Sequence, residues 1–218
     1  MIKLKINEKL IKYNFSKRVN PTIKYIVIHD TANPNKGADA NAHFKWLNTG
    51  NRDASAHYFV DDKQILRVVK DENRSWAVGD GGDKYGISND NSISIEMCIN
   101  SDGDFNKVYR STLELTKYLR KKYNIPLENV VRHYDASRKL CPNVFKENNW
   151  EKWNIFKKDL IAQDHSEYII EIYKAVLKRE PDEEGLRYWK AKIINDADFG
   201  KFVKEVLNSD EYKKLKLE

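Results

Sequence analysis

Residues 24–31, Lys24-Tyr25-Ile26-Val27-Ile28-His29-Asp30-Thr31, form a short apolar run that ends in a histidine. An uninterrupted apolar run of this length predicts a buried strand of the kind found inside an α/β sheet. Such a strand would present His29 at its carboxyl end, where α/β sheets usually build their sites. His29 is therefore a candidate functional residue.

A second stretch, Arg132-His133-Tyr134-Asp135-Ala136-Ser137-Arg138-Lys139-Leu140-Cys141-Pro142, places an imidazole and a thiol eight residues apart. That spacing is too wide for one helical turn and fits a loop that leaves a strand and folds back. Zinc would close such a loop, because it accepts imidazole nitrogen and thiolate together. With His29 as the third ligand, the set has one open position, as in catalytic zinc sites. The alternative is two core histidines and an inert buried cysteine.

Four pieces of the sequence resemble the type 2 N-acetylmuramoyl-L-alanine amidases, a family of phage lytic amidases, bacterial autolysins and peptidoglycan recognition proteins. The pieces are Ile26–Thr31, Ala54–Val60, Ser92–Glu96 and Arg132–Pro142, in the family's order and over roughly residues 20–160. The resemblance implies a mixed α/β sheet, Zn²⁺ as cofactor and bacterial peptidoglycan as substrate. The reaction it implies is cleavage of the amide between N-acetylmuramic acid and L-alanine.

The same resemblance implies two catalytic side chains. Lys139, two residues before Cys141, would stabilise the oxyanion of the tetrahedral intermediate. Glu96 would take a proton from water and pass it to the leaving nitrogen. Some members of the family carry a tyrosine for this task where this chain has Ala56. The alternatives are a solvated surface charge for Lys139 and a solvent-facing or salt-bridged strand carboxylate for Glu96.

Two further residues are predicted to contact the substrate. His57 occupies the family's Ser-x-His-Tyr position, and similar proteins place that histidine beside the substrate cleft. Trp76 opens a glycine-rich loop over residues 75–82, and its flat apolar ring suits stacking on a sugar or peptide face. The alternatives are a cross-strand packing residue for His57 and a core anchor for Trp76.

The composition is that of a soluble globular protein, with 218 residues, 40% hydrophobic and 33% charged, and a net charge of +6. No apolar run approaches the roughly 18 residues that a membrane span needs. Residues 164–218 hold 11 basic and 13 acidic residues, whereas residues 1–163 hold 28 and 20. A basic domain is attracted to polyanions. No nucleic-acid-binding motif accompanies the charge, and the zinc motif favours the anionic bacterial wall as the partner. Solubility alone is the alternative, and the oligomeric state is not defined.

The amino terminus is charged throughout residues 1–9 and lacks the apolar core of a signal peptide. We therefore expect synthesis in the cytoplasm of the producing cell and action on the wall after release through a separate pore. A phage endolysin fits this expectation, and a host autolysin is the alternative. The two cysteines, Cys98 and Cys141, are expected to be thiols.

Strands and helices interleave in residues 1–163, which predicts a mixed α/β sheet flanked by helices. The predicted strands are Thr22–His29, Ala56–Val60, Gln64–Val69, Asn91–Ile99 and Asn129–Arg132. The predicted helices begin at the caps Asp39 and Asp104 and end at Leu47 and Tyr123, with a closing helix from about Trp150 to Ala162.

A junction at Gln163–Ser166 is predicted to separate this catalytic domain, residues 1–163, from a small all-α domain over residues 164–218. Its predicted helices are Glu167–Lys178, Asp182–Ile193, Asp198–Leu207 and Ser209–Leu217. The segment Val176–Trp189 looks like a recurrent bacterial module of unassigned function. We expect the small domain over residues 164–218 to bind the wall or to target the protein to it. The alternative is a tail that only stabilises or oligomerises the protein.

Two other classes of function stay open. One is a non-catalytic peptidoglycan receptor of the same fold. Receptors of that kind typically lose the metal cysteine, so the presence of Cys141 favours an enzyme. The other is a zinc-stabilised interaction protein, in which a chelator would unfold the domain rather than only silence it.

Overall fold

The structure is a computed structural model that describes residues 4–161, 166–193 and 196–216. Contacts between residues divide the chain into two compact units, Met1–Leu160 and Ile161–Glu218. Most of the predicted junction, residues 163–165, lies outside the described residues. No helix in the described ranges is long and apolar enough to cross a membrane.

A mixed sheet forms the centre of the first unit, which confirms the predicted fold class. The strands are β1 Ile6–Glu8, β2 Phe15–Lys17, β3 Tyr25–Asp30, β4 Tyr58–Val60, β5 Ile65–Arg67, β6 Asn73–Ser75, β7 Ser92–Met97 and β8 Val130–Arg132. Six of them pair in the order β1-β5-β4-β7-β3-β8. The neighbours are parallel except β4 and β5, which are antiparallel. The strands β2 and β6 form a separate antiparallel ribbon.

The strand β3 lies inside the sheet, as its apolar run predicts. Ile26, Val27 and Ile28 are 0% exposed, and β3 pairs in parallel with β7 on one side and β8 on the other. Because the carboxyl ends of parallel strands meet at one edge of a sheet, this arrangement gathers the residues that end these three strands. His29 is paired directly with Glu96.

Helices cover the sheet: α1 Ala40–Leu47, α2 Phe105–Tyr123, α3 His133–Ser137 and α4 Glu147–Ile161. The predicted caps are confirmed, since Asp39 accepts from the backbone N–H of Ala42 and Asp104 from that of Asn106. The predicted apolar stripe of α2 is buried in the core of this unit. Residues 148–150 of α4 have left-handed backbone angles, so its regular part begins near the predicted start.

Two features of the first unit were not predicted. Residue 133 begins the short helix α3 instead of a loop. The β2–β6 ribbon joins segments about sixty residues apart in the chain, and each of its strands has only three residues. Patterns of three residues are too short to indicate a strand by periodicity.

The second unit is all-α, as predicted. Its helices are α5 Ser166–Ile172, which continues as a π-helical turn over Tyr173–Leu177, α6 Glu183–Lys192, α7 Asp196–Asn208 and α8 Asp210–Leu215. They enclose their own apolar core. In that core the indole N–H of Trp189 donates to the hydroxyl of Tyr173 at 3.0 Å. Asp182 caps α6 and Ser209 caps α8.

Candidate active site

The three predicted metal ligands come together at the carboxyl edge of the sheet. His29 lies near the end of β3, His133 begins α3 directly after β8, and Cys141 lies on the segment that returns from α3. All three are buried, and their ligand atoms lie within 4.8 Å of one another. Nδ1 of His29 is 3.1 Å from Nδ1 of His133 and 3.8 Å from Sγ of Cys141.

These distances fit a zinc ion. Zinc bonds of about 2.05 Å to nitrogen and 2.3 Å to sulfur place tetrahedral nitrogen pairs about 3.3 Å apart and nitrogen–sulfur pairs about 3.6 Å apart. Burial lowers the pKa of His29 well below its ordinary value, and His133 and Lys139 lower it further, so this imidazole is neutral and able to bind a metal. Burial, followed by the charge of Glu96, raises the pKa of the Cys141 thiol. A cation is therefore needed to hold that residue as a thiolate.

A carboxylate orients the ring of His133. Nε2 of His133 donates a hydrogen bond to Oδ1 of Asp80 at 2.8 Å. The lone pair of Nδ1 of His133 is therefore directed at the cluster. Burial lowers the pKa of His133, and Asp80 partly offsets that effect. Asp80 lies on a 3₁₀ turn, Gly79–Gly81. A Cβ at Gly81 would lie 2.1 Å from the backbone oxygen of Ala136, so only glycine allows this turn to approach α3.

Replacing Asp80 with alanine is expected to weaken zinc binding by roughly 10- to 100-fold, because His133 loses the acceptor that orients it. Competition with a chromogenic chelator measures the change. Asp210→Ala is the matched control, since the side chain of Asp210 is 93% exposed in the second unit. Equal zinc affinity in both variants would show that Asp80 does not position the ligand.

Glu96 lies beside the metal ligands. Residues paired across parallel strands project to the same face, and β3 pairs with β7 so that His29 is opposite Glu96. One carboxylate oxygen, Oε2, is buried and has no hydrogen-bond partner among the described residues. Burial raises the pKa of Glu96 well above its ordinary value, Asp30 adds to the shift and Lys139 opposes it. A raised pKa brings a carboxyl group nearer to neutral pH, as proton transfer in both directions requires.

Lys139 is an exposed residue on the segment between α3 and Cys141, and it lines the same cavity as the cluster. Its positive charge lowers the pKa values of His29, His133 and Glu96. The ammonium group is thus close enough to the cluster to act on it electrostatically. This position suits the stabilisation of developing negative charge.

The structure corrects the prediction for His57. Its ring is 0% exposed and does not line the cavity. Nδ1 accepts from the backbone N–H of Ser94, and Nε2 lies 3.1 Å from the carbonyl oxygen of Asn73 in β6. Burial, reinforced by the guanidinium of Arg18, lowers the pKa of His57 to about 4. The residue is a neutral, buried hydrogen-bonding group that the β2–β6 ribbon covers.

A cavity of about 790 Å³ opens in front of the cluster. Trp76 is half-buried in its wall, and its indole N–H donates to the hydroxyl of Ser16 at 3.0 Å, which fixes the ring. The helix α1 contributes more of the wall through Ala42, His43 and Trp46. A concave site with aromatic walls and a few convergent polar groups is the usual form of a substrate site.

Asp30, Asp80 and Trp46 are parts of the site that the sequence patterns did not predict. Asp30 is buried, and its Oδ2 accepts from the backbone N–H of Val144, which ties the segment after Cys141 to β3. The sequence contains a feature that could have drawn attention to two of these residues. Asp30 directly follows His29, and Asp80 lies among three glycines. Their contacts are long-range, so the sequence did not show what they meet.

Comparisons with known proteins agree with this geometry. Residues 19–144 match the family described as "N-acetylmuramoyl-L-alanine amidase", and residues 153–216 match a "Domain of unknown function (DUF4214)". The chain is 39% identical over 140 residues to the N-acetylmuramoyl-L-alanine amidase CwlH of Bacillus subtilis (strain 168), covering 64% of this chain and 54% of the relative. It is 37% identical over 146 residues to the amidase XlyA of the same organism, covering 67% and 47%. The chain therefore spans about half the length of these curated relatives.

Solved structures of two proteins are also similar to this chain. The catalytic domain of XlyA is similar with a TM-score of 0.64 and 36% identity, covering 72% of this chain and 99% of that chain. PlyL is similar with a TM-score of 0.61 and 31% identity, covering 72% and 97%.

Proposed function

Because the chain belongs to the N-acetylmuramoyl-L-alanine amidase family, we propose that it is a zinc-dependent peptidoglycan hydrolase acting as a phage endolysin. It cleaves the amide between N-acetylmuramic acid and the L-alanine of the stem peptide. The observation that supports this most strongly is the buried cluster of His29, His133 and Cys141 beside Glu96 in one cavity.

His29, His133 and Cys141 would hold the zinc ion. When bound, zinc supplies a Lewis acid that polarises the amide carbonyl and makes water more acidic. Asp80 keeps the ring of His133 in the orientation that binding needs. Asp30 holds the segment after Cys141 against β3. These two carboxylates position the ligands.

Glu96 and Lys139 are the two catalytic side chains of the proposed reaction. Glu96 accepts a proton from the attacking water and delivers it to the nitrogen of alanine as the carbon–nitrogen bond breaks. Lys139 stabilises the negative charge that develops on the carbonyl oxygen. The water oxygen ends in the lactyl carboxyl group of muramic acid, and the stem peptide leaves with a free amino terminus. Atoms and charges balance with water as the only co-reactant.

Digestion of purified peptidoglycan tests this proposal. New free amino termini on alanine are the expected product, with no increase in reducing sugar ends. New reducing ends in place of amino termini would mean that the protein is a glycosidase.

We also propose that the second unit binds the wall. Its separate apolar core supports an independent role. A chain ending at Ile161 is expected to fold and cleave small muropeptides but to pellet less with purified walls than the full chain does. Equal pelleting of the two chains would contradict the targeting role.

The shortened chain must keep α4 for the first unit to fold. The domain of unknown function matches from residue 153, inside α4. Trp153, Phe156 and Leu160 of α4, however, pack in the core of the first unit. Each such side chain stabilises a core by about 1.5–3 kcal/mol, so their joint loss approaches the total stability of a domain. A chain ending at residue 152 is therefore the contrasting control and is expected not to fold.

A further inference from the structure

The loop that carries Asp80 has few side chains of its own to hold it in place. This segment, residues 79–86, is the Asp80 loop, and four of its eight residues are glycines. Tyr85 is its only aromatic or aliphatic side chain. Because glycine leaves many backbone conformations open, the position of Asp80 depends on contacts with residues outside the loop.

The two ends of the Asp80 loop are anchored in a small apolar cluster. Val78, just before the loop, is 0% exposed, and Ile87, just after it, is 5% exposed. Both belong to one cluster with Ala136 of α3. Residues 82–86, the outer part of the loop, are exposed. A further contact is needed to hold this outer part against α3.

Arg138 supplies that contact. Its guanidinium carbon lies 4.0 Å from the centre of the Tyr85 ring. The same guanidinium donates through Nη1 to the carbonyl oxygen of Tyr134 at 3.1 Å. A guanidinium at this distance from an aromatic ring is attracted to the π face, and its planar shape favours stacking. Arg138 therefore joins α3 to the outer part of the Asp80 loop.

The backbone of Arg138 has a conformation that arginine rarely adopts. Its φ and ψ angles are 71° and 6°, in the left-handed region, where it ends α3. Glycine or asparagine usually occupies such a position, because other side chains are strained there. A strained residue persists when the surrounding contacts fix it. The stack on Tyr85 and the hydrogen bond to Tyr134 are contacts of this kind.

The stack is part of a longer row of guanidinium and aromatic groups along α3. The guanidinium carbons of Arg138 and Arg132 lie 5.2 Å and 5.1 Å from the centre of the Tyr134 ring. Arg132 also lies 4.3 Å from the ring of Trp150 in α4. The helix α3 has only five residues, too few to be stable alone. These contacts therefore stabilise both of its ends.

We propose that Arg138 is a positioning residue for the metal site and acts through Tyr85. Its stack on the tyrosine ring seats the Asp80 loop on α3, and the seated loop keeps Asp80 where it orients His133. The inference rests on the proposed function for the zinc ion that His133 would bind. Loss of the stack leaves every ligand and Asp80 present but lets the loop leave its seat more often.

Hydrogen exchange, measured by NMR on the metal-free full chain, tests this seat. The reporters are the backbone N–H groups of Lys84 and Gly86, which donate to carbonyl groups of the same loop. Loss of an exposed cation–π contact changes an equilibrium by about twofold to fivefold. Arg138→Ala is expected to raise both exchange rates by that factor, because the loop opens more often. Tyr85→Ala should do the same, and Tyr85→Phe, which keeps the ring, should not.

Two more variants separate the stack from other effects. Arg138→Gly suits the left-handed backbone and should still raise the exchange rates, because the contact with the ring is lost. Combining Arg138→Ala with Tyr85→Ala should add no further increase, since both remove one contact. Arg110→Ala is the matched control, because Arg110 is exposed on α2. Equal exchange rates in Arg138→Ala and Arg110→Ala, or additive effects of the two substitutions, would overturn the proposal.

The ring of His133 provides the second readout. Its side chain is 4% exposed, and its Nε2 proton is held by Asp80. Exchange of that proton should also rise by about twofold to fivefold in Arg138→Ala. An unchanged exchange rate of the Nε2 proton, with faster exchange in the loop, would show that other contacts hold Asp80. The positioning role would then be overturned.

Zinc titration relates the seat to the metal site. The zinc dissociation constant of Arg138→Ala should rise by at most about fivefold, less than in Asp80→Ala. A larger effect in Arg138→Ala than in Asp80→Ala would overturn the proposal. Exchange is measured without zinc or substrate, so dependence on Arg138 supports the seat even if the proposed function fails. Amide cleavage by a protein whose exchange rates do not depend on Arg138 would overturn the positioning role and leave the proposed function standing.

Discussion

Replacing Glu96 with glutamine is expected to lower turnover of muropeptides by about 10²–10⁴-fold, the usual contribution of a positioned general base. Glutamine keeps the shape of the side chain but cannot accept the proton of the attacking water. Zinc content and muropeptide affinity should be unchanged, because the three ligands and the cavity walls remain. The measurements are single-turnover cleavage and metal analysis on the same preparation.

The pH dependence provides a second signature of Glu96. The carboxyl group must be ionised to accept a proton, so activity rises as the pH climbs through its pKa. Because burial raises that pKa, the acidic limb of the rate profile should lie above the ordinary value of about 4.3 for glutamate. The limb should disappear in Glu96→Gln. Glu114→Gln is the control, because the side chain of Glu114 is 54% exposed on α2. Near-normal turnover in Glu96→Gln would show that the base lies elsewhere.

Replacing Cys141 with serine is expected to abolish both zinc binding and cleavage. Serine lacks the thiolate that, with His29 and His133, completes the ligand set. A Lewis acid contributes several kcal/mol to the transition state, so its loss should lower the rate by at least about 10³-fold. Chelation of the unchanged protein should have the same effect, and added zinc should restore activity.

Proton release checks the Cys141 prediction independently of activity. The thiol pKa is raised in the metal-free protein, so the thiol is protonated at neutral pH and zinc binding must displace a proton. Zinc addition to the unchanged protein is therefore expected to release a proton, and the affinity for zinc should increase with pH. Cys98→Ala is the control, because Cys98 is a buried free thiol in a separate apolar cluster. Full activity in protein free of metal would contradict the account.

The strand that carries His29 was predictable from its continuous apolar run, and the helix α2 was predictable because its apolar pattern is long and periodic. The apolar run before His29 and the buried stripe of α2 each reflect burial that local sequence records. The proximity of His29 and Glu96 followed from parallel strands whose ends share one edge. Local pattern and topology were sufficient for these features.

The errors lie where a contact joins distant segments. His57 was predicted beside the cleft because it occupies the family's Ser-x-His-Tyr position, yet the β2–β6 ribbon covers it through Asn73 and Ser75. Asp80 meets His133 across 53 residues of sequence. That meeting depends on the close approach of Gly81 to α3. Pairings of this kind are set by packing in three dimensions, and no periodicity in the sequence predicts them.

Hydrolysis of the muramoyl tripeptide in water enriched with oxygen-18, followed by mass spectrometry, tests the central claim most directly. Attack by water on the lactyl carbonyl predicts one oxygen-18 atom in the new carboxyl group of N-acetylmuramic acid. The released tripeptide should carry a free amino terminus on alanine and no label. Label within the peptide, or at a sugar reducing end of a longer substrate, would mean that another bond is cut and would contradict the account.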